Sequence, residues 1–142
     1  MNGAVQTPFS WRVRVYWEDT DAGGVVYHAS YLRFLERART EWLRSRGIEQ
    51  TRVRTEQGVL FVVYAMDLRF RRPALLDDEL DASVRIAARK AAVLEFAQEL
   101  RRVGDGALLV SATVRVACVS ADGFRPTPIP HLLLPDGTDG TT

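Results

Sequence analysis

The chain has 142 residues, 19 Lys and Arg against 18 Asp and Glu, and a formal net charge of +1. That length suits one domain with a real core, the near-neutral charge argues against a dedicated nucleic-acid binder, and no apolar run approaches the roughly 18–20 residues of a membrane span or anchor. The N-terminal MNGAVQTPFSW lacks a charged n-region ahead of an apolar h-region, so a cytoplasmic protein is expected, and one cysteine, Cys118, with two histidines, His28 and His131, is too few for a disulfide or a structural zinc site.

A single domain over 1–142 is expected, with its core at about 11–130 and loose polar ends at 1–9 and 135–142. Residues Trp11–Trp17 predict a first strand, with Trp11, Val13, Val15 and Trp17 on one face. EDTDAGG, residues 18–24, predicts a turn. Tyr31, Leu35, Ala38 and Trp42, widened by Leu32, Phe34 and Leu43, predict a helix over about Ala29–Arg46. Ser30 is the candidate cap, Gly47 suits the C′ position, and Arg44 and Arg46 suit the negative end of the dipole.

Gln50–Gln57 reads as a connection. Strands are then predicted over Val59–Phe70, Glu79–Ala88, Ala92–Arg102 and Leu108–Val119. Their inward rows are Leu80, Ala82, Val84 and Ile86; Leu94, Phe96, Gln98 and Leu100; and Val110, Ala112, Val114, Val116 and Cys118. Breaks at Arg72-Pro73, Arg89-Lys90 and Gly104-Asp105-Gly106 suit meander connections, and Pro126, Pro128 and Pro130 close the last strand. The sum is an α+β fold: one long helix inserted after the first strand of a mostly antiparallel five-stranded sheet that covers its apolar stripe.

The chemistry concentrates in residues 16–35, YWEDTDAGGVVYHASYLRFL. Asp19 and Asp21 precede two glycines and a helix start. Glycine lets a backbone approach a ligand closely, and a helix start offers unpaired N–H groups with a partial positive charge. A carboxylate beside such donors suits acyl transfer: it attacks or activates water while the donors hold an oxyanion. The same letters suit a plainer role, in which Asp19 or Asp21 stabilises the turn or the helix end.

Metal readings fit less well, and no metal is expected. As an EF-hand loop the stretch would put Gly23 at the third ligand position and Ser30 in place of the closing Glu, with a strand where a helix is required. Asp19, Asp21 and His28 are a sparse ligand set. A phosphotransfer Asp-x-Asp site would need a parallel α/β sheet. Cys118, in an apolar row, reads as a buried small hydrophobe, and His131 lies in the tail.

Residues 15–44, VYWEDTDAGGVVYHASYLRFLERARTEWLR, and 58–80, GVLFVVYAMDLRFRRPALLDDEL, resemble the YbgC-like branch of the 4-hydroxybenzoyl-CoA thioesterase family, over roughly residues 11–130. The resemblance implies a hotdog fold, a five-stranded antiparallel sheet wrapped around one long helix. It implies homodimers that join sheets, often paired into homotetramers, with the active site at the dimer interface. The implied activity is hydrolysis of an acyl-CoA to free acid and CoA. Asp21 falls on the catalytic carboxylate, as general base or nucleophile, and His28 on the position whose backbone N–H polarises the carbonyl. A histidine there marks the YbgC-like branch.

Gly24, Val25, Tyr27 and Tyr31 are the expected substrate-pocket residues, and Arg89, Lys90 and Arg125 the expected contacts for the CoA phosphates. Arg69, Arg71 and Arg72 form a further basic cluster that reads equally as solvated surface. Glu36 and Glu41, on the helix that carries the acid in another hotdog branch, rank behind Asp21. No cofactor is implied, since CoA belongs to the substrate, and the expected partner is a small-molecule acyl-CoA. A hotdog hydratase or dehydratase, and a non-catalytic acyl-CoA or acyl-carrier-protein binding module, are the alternatives. An association with Tol–Pal rests on family association alone.

Overall fold

Apolar residues alternating with polar ones form five strands: β1 Phe9–Arg14, β2 Val59–Phe70, β3 Glu79–Lys90, β4 Val93–Arg102 and β5 Leu108–Ser120. Two helices, α1 Ser30–Ser45 and α2 Gln50–Gln57, lie between β1 and β2. The structure is a computed structural model that describes residues 9–131 and residue 133. Every strand pairing is antiparallel, in the order β1-β3-β4-β5-β2, so β1 and β2 are the two edges. The expected α+β architecture therefore holds, with the sheet wrapped on α1.

The three predicted inward rows are buried, and they meet Phe34, Leu35, Ala38 and Trp42 of α1. Trp42 packs edge-on against Phe96, with ring centroids 5.4 Å apart. Burying one such side chain contributes about 1.5–3 kcal/mol. Gln98 stands in an inward row and is buried with its apolar neighbours. The C-terminal end of α1 closes as the sequence suggests: Gly47 takes φ +78°, its N–H donates to Arg44 O, and Ile48 N–H donates to Leu43 O. Both Leu43 and Ile48 are buried, which completes a Schellman stop.

Five expectations need correction. First, β1 runs over Phe9–Arg14 rather than Trp11–Trp17. The Asp19 carboxylate accepts the Tyr16 N–H, which starts a 3₁₀ turn at Trp17–Asp19. Trp17 is consequently 80% exposed and leaves the face that Val13 and Val15 bury. Second, Ser30 does not cap α1; it is the first helical residue, Ala29 holds the N-cap position, and the Ser30 hydroxyl accepts from Arg33.

Third, Gln50–Gln57 is a helix, anchored by Val53 as its one buried residue. Fourth, Arg89 and Lys90 finish β3 instead of forming the connection, which falls on Ala91 and Ala92. Fifth, the Arg72-Pro73 break is not a meander connection, because β2 pairs with β5 and β3 with β1 and β4, so the chain crosses from one edge of the sheet to the other side of β4 and β5 between β2 and β3. Strand β5 ends at Ser120, within a residue of the expected bound, and the chain then turns back to set Pro126 opposite Val119. Of the ends expected to be loose, Phe9 belongs to β1, while residues 1–8 and 135–142 lie outside the described residues. No helix among the described residues is long and apolar enough to cross a membrane.

Candidate active site

The turn signals in EDTDAGG build a short hairpin over residues 19–27. Thr20 bridges Val26, Asp21 N–H donates to Val25 O at 2.9 Å, and Tyr27 N–H donates to Asp19 O at 2.8 Å. Asp21 closes the tip on itself. Its Oδ1 accepts the Gly23 N–H at 2.8 Å, and its carbonyl accepts the Gly24 N–H at 3.0 Å. Gly24 takes φ +82°, which side-chain-bearing residues rarely adopt. A Cβ at position 23 would lie 3.2 Å from Asp21 Oδ1, so the glycine there leaves room for the carboxylate. Asp21 itself remains exposed.

Asp19 does different work. Its carboxylate is buried, Oδ2 accepts the Tyr16 N–H at 2.9 Å, and Oδ1 receives Arg33 Nη2 at 3.1 Å. Both oxygens hold the turn and the start of α1, which is the plainer of the two roles considered for these acids.

The hairpin is seated on the segment that follows β2. Val25 bridges Leu75, and Val26 N–H donates to Ala74 O at 2.9 Å. Arg102 locks that segment: its guanidinium donates to Asp78 Oδ2, Asp105 Oδ2 and Pro73 O, each at 3.0 Å. Hydrogen bonding to Asp78 is the main reason the Arg102 pKa is raised.

Tyr31 ties α1 to the same segment. Its ring is buried against Phe34 and Phe70, and its hydroxyl accepts the Ala74 N–H at 3.0 Å. Burial pushes the Tyr31 phenol above its ordinary value, so it stays protonated as a pocket wall. Tyr31→Phe strands the buried Ala74 N–H and is expected to lower stability by about 2 kcal/mol. The urea midpoint should fall at unchanged slope; an unmoved midpoint would mean that Ala74 has another acceptor.

His28 precedes α1 by two residues and is exposed, with Tyr27 packed on its ring at 4.4 Å between centroids. Its carbonyl accepts the Tyr31 N–H, and the Ser30 N–H goes to Tyr27 O. The His28 N–H meets no protein acceptor among the described residues. A cleft of about 280 Å³ opens there, lined by Val26, His28, Tyr31, Phe70, Arg71, Arg72 and Pro73. Asp21 stands on the hairpin beside this cleft without lining it.

The expected phosphate contacts are elsewhere in the chain. The hairpin sits where β2 ends and β3 begins, whereas Arg89 and Lys90 finish β3 and Arg125 follows β5. One length of β3 separates the two groups, roughly 35 Å for its 12 residues. A single chain thus gathers Asp21, Gly24, Val25, Tyr27, His28 and Tyr31 at one end of the sheet and Arg89, Lys90 and Arg125 at the other. Glu36 borders a separate, smaller cavity farther along α1, and Glu41 pairs with Arg44. Burial raises the Cys118 pKa, which disfavours its thiolate. Among the described residues no three His, Cys, Asp or Glu are grouped to hold a metal.

Sequence reasoning missed the Arg33–Asp19 pair and the Arg39–Gln98 contact, in which Arg39 Nη1 donates to Gln98 Oε1 at 3.0 Å. A glutamine in an otherwise apolar row was the available signal for the second.

Comparison with known proteins bears on this arrangement. The model of the thioesterase-like superfamily matches residues 15–136. The chain is 46% identical over 122 residues to the acyl-CoA thioesterase YbgC of Haemophilus influenzae, covering 86% of this chain and 88% of that one. It is 44% identical over 128 residues to the acyl-CoA thioester hydrolase YbgC of Escherichia coli, covering 90% and 94%. Among solved structures, a probable thioesterase from Bartonella henselae superposes with a TM-score of 0.81 at 35% identity, covering 87% of this chain and all of that one.

Proposed function

Since the chain belongs to the thioesterase-like superfamily and is an acyl-CoA thioester hydrolase, we propose that Asp21 and the His28 backbone N–H carry the hydrolysis. The observation behind this reading is the unengaged His28 N–H at the start of α1, beside a carboxylate held by its own turn. A donor so placed stabilises the oxyanion that forms as the thioester carbonyl is attacked, an effect worth about 3 kcal/mol for one such N–H. Asp21 supplies the other half, taking a proton from water or attacking the carbonyl itself. The departing thiol has a pKa near ~8.5, so it leaves as thiolate without a strong general acid. That chemistry suits a site with few ionisable groups.

The rest of the substrate needs a second copy of the chain. Edge strand β2 exposes Val62, Val63, Tyr64 and Phe70. Pairing β2 with its own copy across a two-fold axis runs the strands antiparallel. The end of one sheet that bears Asp21 and His28 then adjoins the opposite end of the other, which bears Arg89, Lys90 and Arg125. The proposed site therefore takes its reacting groups from one subunit and its phosphate contacts from the next, in a homodimer that can pair further into a tetramer. No cofactor enters, and the work is that of a cytoplasmic enzyme.

The experiment is thiol release from acyl-CoA at low substrate concentration, using two variants, Asp21→Asn and Arg89→Ala/Lys90→Ala. Each alone should be severely impaired. Co-expressed in equal amounts, half of the dimers are mixed and each mixed dimer has one intact site, so activity should return to about a quarter of wild type. No recovery would contradict the shared site. Binding of acyl-CoA by the wild type without thiol release would favour the binding-module reading.

A further inference from the structure

Two arginines on the wall of the His28 cleft have no counter-ion among the described residues. Arg12 is paired with Asp81, Arg14 with Glu79, Arg33 with Asp19, Arg69 with Asp67, and Arg102 with Asp78 and Asp105. Arg71 and Arg72 are exposed, and their side chains meet no carboxylate among the described residues. Their backbone is fixed, because both N–H groups donate to Leu109 O, at 2.7 and 3.3 Å. The next residues are held too, Pro73 O by Arg102 and Ala74 N–H by Tyr31. Two arginines on a backbone held at both ends thus line a cleft that Val26, His28 and Tyr31 line as well.

We infer that Arg71 and Arg72 bind a carboxylate at the far end of the acyl group, making short half-thioesters of dicarboxylic acids preferred substrates. This rests on the thioesterase reading above and names its substrate class. Distance decides between the two anions such a substrate carries. A cleft of 280 Å³ is about 8 Å across if round. An acyl chain of about four to six carbons spans it from a carbonyl at the His28 N–H to a guanidinium on the opposite wall. The pantetheine arm holds the first phosphate roughly 15 Å from the sulfur when extended, well outside that cleft. Guanidinium groups also pair with carboxylates through two parallel hydrogen bonds, which gives geometry as well as charge.

The test compares adipoyl-CoA with hexanoyl-CoA, which have the same carbon count and differ in the terminal carboxylate. In the Arg71→Gln/Arg72→Gln variant, kcat/KM for adipoyl-CoA should fall about 30-fold while that for hexanoyl-CoA stays within about twofold. The Arg71→Lys/Arg72→Lys variant should recover part of the loss. In the wild type, the adipoyl-to-hexanoyl ratio should fall as salt is raised, a readout that needs no variant.

Equal losses on both thioesters, or none on adipoyl-CoA, would overturn the inference. A loss on hexanoyl-CoA that is absent from hexanoyl-pantetheine would assign the arginines to the CoA phosphates and overturn it as well. Hydrolysis of hexanoyl-CoA alongside any of these outcomes leaves the thioesterase reading standing. Absence of turnover on either thioester by the wild type would bring down that reading first.

Discussion

Asp21→Asn should lower kcat about 10³-fold, within the range for losing a positioned base, while the protein unfolds at the wild-type temperature. The substitution is close to isosteric. The Asn side-chain oxygen can still accept the Gly23 N–H that holds Asp21 Oδ1 at 2.8 Å. The backbone bonds of the tip, Asp21 N–H to Val25 O and Gly24 N–H to Asp21 O, do not involve the side chain. What disappears is the negative charge, and with it both the capacity to accept a proton from water and the capacity to attack a carbonyl. The variant therefore tests the carboxylate whichever role it plays. Asp19→Asn is the informative contrast. Asp19 is buried and paired with Arg33, so neutralising it should lower stability as well as activity. If Asp21→Asn hydrolyses acyl-CoA at near the wild-type rate, Asp21 is a turn residue and the proposed chemistry is wrong.

The readability of this chain follows from which forces act locally. Strand β2 runs over Val59–Phe70 as its apolar run suggests, and the inward rows of β3, β4 and β5 are buried as alternation requires. The hairpin around Asp21 was visible as a turn because acids and paired glycines favour one. Local pattern failed where a distant partner decides the outcome. Strand β1 ends early because the Asp19 carboxylate captures the Tyr16 N–H. Helix α2 has a single buried residue, Val53, and so presents no periodic stripe to read. The separation of Asp21 from Arg89 and Lys90 is a property of strand order, since β3 pairs with β1 at one end and runs away from the hairpin to the other. Spacing along the chain carries no information about that. Arg71 and Arg72 look like ordinary surface until the cleft they line with His28 is known. The acyl-CoA activity itself came from the resemblance and the relatives, because a carboxylate, two glycines and a helix start are compatible with more than one chemistry.

The largest effect on stability is expected away from the site, at Gln98. It lies in the inward row of β4, 1% exposed, and its amide makes three contacts. Oε1 accepts Arg39 Nη1 at 3.0 Å, while Nε2 donates to Leu35 O at 3.2 Å and to Ser83 O at 3.3 Å. The amide thus joins α1 to the sheet and is the neutral acceptor for the guanidinium of Arg39, a residue only 8% exposed. Burial pulls the Arg39 pKa down, with Glu36 opposing the shift, but a guanidinium stays charged at any ordinary pH. Gln98→Leu would fill the same volume with an apolar side chain and leave that charge without its acceptor. Stranding a buried charge costs about 3–5 kcal/mol. A cavity of about 80 Å³ bordered by Glu36, Arg39, Thr40 and Gln50 can admit water to the guanidinium, which puts the expected loss near 3 kcal/mol. That is a large share of the roughly 5–15 kcal/mol that keeps a domain folded. Removing the charge as well should relieve the cost, so Arg39→Met/Gln98→Leu is expected to be more stable than Gln98→Leu alone. Urea unfolding of the two variants at matched slope measures the difference. If the double variant is the weaker of the two, or Gln98→Leu loses less than about 1 kcal/mol, the amide is packing material and not the partner that lets Arg39 be buried.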